Sequence, residues 1–178
     1  MVIGRRRDQD DELRRLYREH VGAVYAFFAY SVNRTIAEDL TSGTFERVIK
    51  AWRSYDARKA SERTWILAIA RNLLTDHYRR QSHRDAVSTD EHPELVDVLS
   101  DVDSGIERVL SDDALRALLA PLGPREREVL ALRYAAELPA TEVAELTGLS
   151  SANVHQVASR ALRRLRAELE RSRLSDSA

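Results

Sequence analysis

The chain has 178 residues, with 28 Lys and Arg against 29 Asp and Glu, five His and no Cys. That length allows one domain or two small ones, 43% hydrophobic residues can supply their cores, and a net charge of -1 gives no overall hint of a nucleic-acid partner. The missing cysteines exclude disulfides and thiolate metal sites, no apolar run approaches membrane-spanning length, and Met1 to Arg7 lacks the apolar stretch of a secretory signal, so a cytoplasmic protein without membrane insertion is expected.

Helical periodicity dominates and no segment reads as a strand, which predicts an all-α fold: two small helical domains joined by an acidic flexible linker. A first helix is expected over about residues 10–30, burying Leu13, Leu16, Tyr17, Val21, Val24, Tyr25 and Phe28. A second opens at Thr35, where Thr35-Ile36-Ala37-Glu38 has the form of a capping box, and carries Leu40, Phe45, Val48, Ile49 and Trp52 inward. After a polar loop at residues 54–60, Ser61 caps a third helix that runs through Arg84. Trp52 and Trp65 fall in phase with apolar neighbours and read as core rather than as stacking platforms. The outward side of the third helix carries Arg71, Asn72, Thr75, Arg79 and Arg80. Such a face can hold a nucleic-acid backbone beside a loop able to accept an unstacked base, although charge alone favours a solvated helix.

Periodicity then breaks. From Asp85 to Asp113 ten acidic residues face Arg108 alone, and residues 85–105 read as the linker. A second helical unit starts near Ile106 and restarts at Pro124, a favourable first-turn residue. Its final part, residues 140–166 (ATEVAELTGLSSANVHQVASRALRRLR), outlines a helix, a glycine turn and a second helix running into arginines. Val143, Ala144 and Thr147 give the first helix a packing face. Gly148 sits where the turn needs a positive φ, and Leu149 follows as a buried plug. Ser150 or Ser151 caps the second helix, whose inward side is Val154, Val157 or Ala158, Leu162, Leu165 and Leu169. That leaves Ser151, Ala152, Asn153, His155, Gln156 and Ser159 outward, short or amide-bearing side chains that suit base edges in a major groove. Arg160 and Arg163 follow where phosphates would lie. An amphipathic hairpin in an ordinary bundle shares the periodicity; the turn glycine, the small crossing residue and the basic extension together favour the DNA reader.

An enzyme finds little support. The six glycines are scattered, so no phosphate-cradling loop exists, and the five histidines show no paired ligand spacing. The acidic segment lacks a calcium-loop register, and neither a metal nor a cofactor is expected.

Three segments in this order resemble the bacterial sigma-70 family, specifically its compact extracytoplasmic-function RNA polymerase sigma factors: residues 37–52 (AEDLTSGTFERVIKAW), residues 63–80 (RTWILAIARNLLTDHYRR), and residues 122–134 (LGPREREVLALRY) with the helix-turn-helix that follows. The resemblance implies a region 2-like domain over residues 8–84, a linker over 85–105 and a region 4-like domain over 106–172. It further implies a promoter-specificity subunit with no catalytic centre, which binds the β′ clamp helices and β flap of core RNA polymerase and directs initiation at promoter DNA. Core binding would fall on Asp39, Ser42, Glu46 and Arg47, although Ser42 and Gly43 stand where relatives often show glutamine and an acid. The minus-ten element would be read and melted by Ser54, Tyr55, Asp56, Arg58, Lys59, Arg71, Asn72, Arg79 and Arg80, and the minus-thirty-five element by the residues from Ser151 to Arg163 named above. An anti-sigma factor is implied as a partner, and the acidic linker would pass through the basic channels of the polymerase until RNA displaces it. Two other readings are a stand-alone helix-turn-helix regulator that binds duplex DNA as a dimer and a purely protein-binding adaptor.

Overall fold

The computed structural model describes residues 2–87 and 112–175. Seven α-helices occur there: α1 (Val2–Ala29), α2 (Arg34–Ala51), α3 (Glu62–Val87), α4 (Asp112–Leu119), α5 (Pro124–Leu130), α6 (Ala140–Thr147) and α7 (Ser151–Ser175). A 3-10 turn, Trp52–Ser54, follows α2, and a π turn, Ala131–Ala135, follows α5. No strand occurs among the described residues, in keeping with the expected all-α class. The expected linker from residue 88 onward and the helix start near Ile106 lie outside them; residues 85–87 still belong to α3.

Helices α1, α2 and α3 pack on one another around Leu16, Val24, Phe27, Phe28, Val48, Ile66 and Leu67, all essentially inaccessible to solvent. Burial of each such side chain contributes about 1.5–3 kcal/mol. The buried Thr41 and Thr44 hydroxyls donate to the carbonyls of Ala37 and Leu40, both at 2.7 Å, so neither is left unsatisfied. The N-cap of α2 is Asn33, whose Oδ1 accepts the Ile36 N–H at 3.0 Å. This corrects the expected Thr35 box: an asparagine oxygen on extended backbone already reaches the third amide, and Glu38 pairs with Arg34 at 2.9 Å instead. Ser61 caps α3 as expected, its Oγ accepting the Thr64 N–H at 3.1 Å.

In the second half, Pro124 occupies the first position of α5, and the Gly123 N–H before it donates to Glu126 Oε2 at 3.0 Å. The π turn closes with the Ala136 N–H on the Ala131 carbonyl at 2.8 Å, and the chain reverses through Glu137 at φ 55, a left-handed conformation uncommon outside glycine. Helix α6 ends at Gly148, φ 70, whose N–H donates to Ala144 at 2.9 Å. Of the two candidate caps for α7, Ser150 serves: its Oγ accepts the Asn153 N–H at 3.2 Å.

The inward stripe of α7 differs from the expected one. Leu162 and Leu169 are exposed and Leu149 is half-buried, whereas Ala161 is fully buried between Ala158 and Leu165. The buried stripe is Val154, Ala158 and Ala161 with Leu165 half-buried after them, so at its C-terminal end it runs one position off the expected one. Tyr17 and Ile49 are likewise more exposed than their periodicity suggests; Tyr17 lies edge-on to Phe45 at 4.8 Å.

The two halves touch. α1 packs against the π turn and α4, α3 meets α6, and the buried residues of both halves form one continuous cluster.

Candidate nucleic-acid interface

The first turns of α7 rise directly from the Gly148 turn, and α6 packs behind them. Ala152, Asn153, His155, Gln156, Ser159, Arg160 and Arg163 are all exposed on this helix, and Ser151 is half-exposed. Val154 and Ala158 point the other way, into the core. The structure thus gathers every candidate of this group on the outward side of one rigid helix, amide and imidazole side chains first and guanidinium groups after them, an order that suits base edges followed by phosphates. Arg164, one step round, is tied at 2.9 Å to Glu126 of α5 and braces the domain.

The second group is built around the loop between α2 and α3. Trp52 and Tyr55 stack with ring centroids 5.1 Å apart, and Trp65 of α3 closes on both, at 6.0 and 5.2 Å. All three are half-buried, so the tryptophans are a wall beside the loop rather than deep core. The wall is anchored to α1: the Trp52 indole N–H donates to Glu12 at 3.1 Å, and Glu62, the first residue of α3, takes both guanidinium branches of Arg15 at 2.8 and 3.1 Å. That fork holds the Glu62 carboxyl below the usual glutamate range and raises the Arg15 guanidinium. Arg15 also reaches Glu19 at 2.7 Å and His20 Nε2 lies 3.6 Å from Glu62, so a cation already occupies this acidic group.

Within the loop, the Tyr55 hydroxyl donates to the Ala60 carbonyl at 3.1 Å and the Ser54 hydroxyl to Ala51 at 2.7 Å. Desolvation raises the Tyr55 phenol, while the Arg58 guanidinium, bonded to Asp56 at 3.0 and 2.9 Å, lowers the Asp56 carboxyl. Internal bonds therefore preset the loop, with Arg58 and Lys59 projecting into solvent. On α3, Asn72, Arg79 and Arg80 are exposed, and Arg79 rests on Asp76 at 3.0 Å.

Arg71 is different. It is half-buried, and its Nε donates to Glu128 of α5 at 2.7 Å. The sequence alone does not mark Glu128 as a functional neighbour, because the partners are 57 positions apart and no local periodicity links them. The remaining candidates, Asp39, Ser42, Glu46 and Arg47, are all exposed on α2. Ser42 returns its hydroxyl to Glu38 at 3.0 Å, and Arg47 lies 3.8 Å from Asp76.

A glycine-turned helix pair with an open polar outer face defines the chain as a helix-turn-helix protein, joined to a three-helix unit with its own basic surface. Comparison with known proteins narrows this class. Residues 16–84 match Sigma-70 region 2 and residues 118–167 match Sigma-70, region 4. The chain is 30% identical over 156 residues to the ECF RNA polymerase sigma factor BldN of Streptomyces coelicolor, covering 87% of this chain but only 59% of that relative. It is 30% identical to the ECF RNA polymerase sigma factor SigM of Bacillus subtilis over 85% of this chain and 91% of that one. In fold it is similar to the sigma factor RpoE of Bartonella quintana, solved in complex with the anti-sigma factor NepR, with a TM-score of 0.71 at 22% identity over 92% of this chain and 97% of that one. The chain belongs to the extracytoplasmic-function sigma factors of the sigma-70 family.

Proposed function

We propose that this chain is a promoter-specificity subunit that joins core RNA polymerase, reads the minus-thirty-five and minus-ten elements and holds the melted strand, acting as an initiation factor without a catalytic centre of its own. The observation that carries the reading is the pairing of the open α7 face with the preset, aromatic-walled loop in one chain whose two halves match regions 2 and 4. Residues 8–84 would supply core binding and minus-ten melting, and residues 106–172 minus-thirty-five reading.

On α7, Asn153, His155, Gln156 and their neighbours would meet base edges while Arg160 and Arg163 take phosphates. At the minus-ten element, a base leaving the stack would enter the loop at residues 54–60 against the Trp52–Tyr55–Trp65 wall, and Arg71, Asn72, Arg79 and Arg80 would hold the unpaired strand. Binding of that strand offsets the few kcal/mol of stacking lost per base. The α2 candidates would take the β′ clamp helices, region 4 the β flap, and an anti-sigma factor would compete for those surfaces. Such work belongs in the cytoplasm; no helix of the described residues is long and apolar enough to cross a membrane.

The test is in vitro transcription with purified core polymerase and a promoter library. Specific, chain-dependent initiation is expected; failure to bind core or to initiate anywhere overturns the reading, and core-independent footprinting of palindromic duplex would favour a dimeric regulator.

A further inference from the structure

A cavity of about 450 Å³ lies where the turn after α1, the start of α2 and the later part of α3 meet α4 and α5. That volume falls within the range of small-molecule sites, about 300–1,000 Å³. No Asp or Glu lines it, whereas Arg116 of α4 and Arg127 of α5 both do. The Arg127 Nε is buried with no hydrogen-bond partner among the described residues. Glu126 and Glu128, which flank Arg127 on α5, are committed elsewhere, Glu126 to Arg164 at 2.9 Å and Glu128 to Arg71 at 2.7 Å. An unmet buried donor costs stability, and a site that awaits a ligand is a physical reason for keeping one.

Other groups on the cavity wall are donors as well. Asn33 commits its Oδ1 to the Ile36 N–H at 3.0 Å, which leaves its amide N–H groups for the cavity. Burial raises the Tyr30 phenol, so it stays a hydroxyl donor at neutral pH. Val32, Ile36 and Leu119 add apolar surface to the same wall.

We propose that this cavity binds a small phosphorylated organic molecule, its phosphate taken by Arg127 and Arg116 and its organic part lying against Val32, Ile36 and Leu119. A guanidinium fork fits carboxylate and phosphate alike. A phosphate monoester carries about −1.5 to −2 charge at neutral pH and offers three acceptor oxygens, which suits a wall with several donors and no acid. A concave, partly apolar cavity between helices also suits a small molecule better than a nucleic-acid backbone, which runs over open faces.

Isothermal titration calorimetry of the full chain tests this with glycerol 3-phosphate, ribose 5-phosphate, adenosine 5′-monophosphate and inorganic phosphate. Glycerol, ribose and adenosine serve as the phosphate-free counterparts. One-to-one binding of at least one organic phosphate is expected, tighter than inorganic phosphate and about tenfold or more tighter than its phosphate-free counterpart. Arg127→Met should weaken it about tenfold or more at unchanged helical circular dichroism, and Arg127→Lys, which keeps the charge but not the fork, by less. Arg18→Gln, exposed on α1, should leave it unchanged. If no organic phosphate binds more tightly than inorganic phosphate, or if binding survives both Arg127 variants, the assignment is overturned. Displacement by a random-sequence duplex at equal phosphate concentration would overturn it in favour of a nucleic-acid contact.

Discussion

The proposed recognition face of α7 and the basic face of α3 are both helical, both rich in donors, and differ in what already touches them. On α7 the side chains from Ala152 to Arg163 that face outward are exposed, and the helix is fixed from behind by Val154, Ala158 and Ala161. On α3 the outer part, Asn72, Arg79 and Arg80, is open, while Arg63, Thr64 and Arg71 are engaged by carboxylates of the other half. On the proposed roles, a duplex-reading α7 can be finished in advance because B-DNA presents its edges ready-made. The α3 face, proposed to take an unpaired strand, would meet its ligand only after melting.

The largest expected effect breaks the duplex reader. Asn153→Ala with Gln156→Ala should weaken binding of the minus-thirty-five element by about 1–3 kcal/mol for each bidentate pairing with a base that the alanines remove, with little change on non-specific duplex. Competitive anisotropy of holoenzyme on specific and scrambled upstream duplex reads the difference; equal weakening on both would move the specificity elsewhere. A smaller effect concerns α2. A Cβ at Gly43 would meet only Leu73 Cδ1 at 4.0 Å, so Gly43→Ala should stabilise the chain by about 1 kcal/mol through helix propensity alone, seen as a rise in Tm. A lower Tm would show that the helix needs the glycine.

The smallest effect concerns the anchor of the preset loop. Glu62 is held below its ordinary value of about 4.3 by Arg15, so its contribution to stability is present above that value and lost as pH falls through the depressed one. The Tm advantage of wild type over Glu62→Gln should be constant near neutrality and shrink as pH falls below the ordinary glutamate value. An advantage that grows on acidification would contradict the Arg15–Glu62 anchor.

Much of this was legible in the sequence where the determinants are local. Gly148, Pro124 and Ser61 act through their own φ angle, ring or hydroxyl, and each sits where its chemistry requires. Errors arose where a neighbour several residues or a whole domain away decided the outcome. Thr35 lost the cap to Asn33, a competitor two residues upstream. Leu162 and Leu169 lie outward while Ala158 and Ala161 are buried, a choice of stripe that periodicity alone does not specify. Arg71 looked like one more free cation because nothing local marks Glu128 as its partner.

The central claim is that α7 finds the promoter while α3 opens it. Permanganate reactivity of promoter thymines in holoenzyme carrying Arg79→Ala and Arg80→Ala, read beside an upstream footprint, tests it most directly. Lost reactivity at the minus-ten element with the minus-thirty-five footprint and core binding retained is the predicted result. Normal melting, or equal loss of melting, footprint and core binding, would contradict the account.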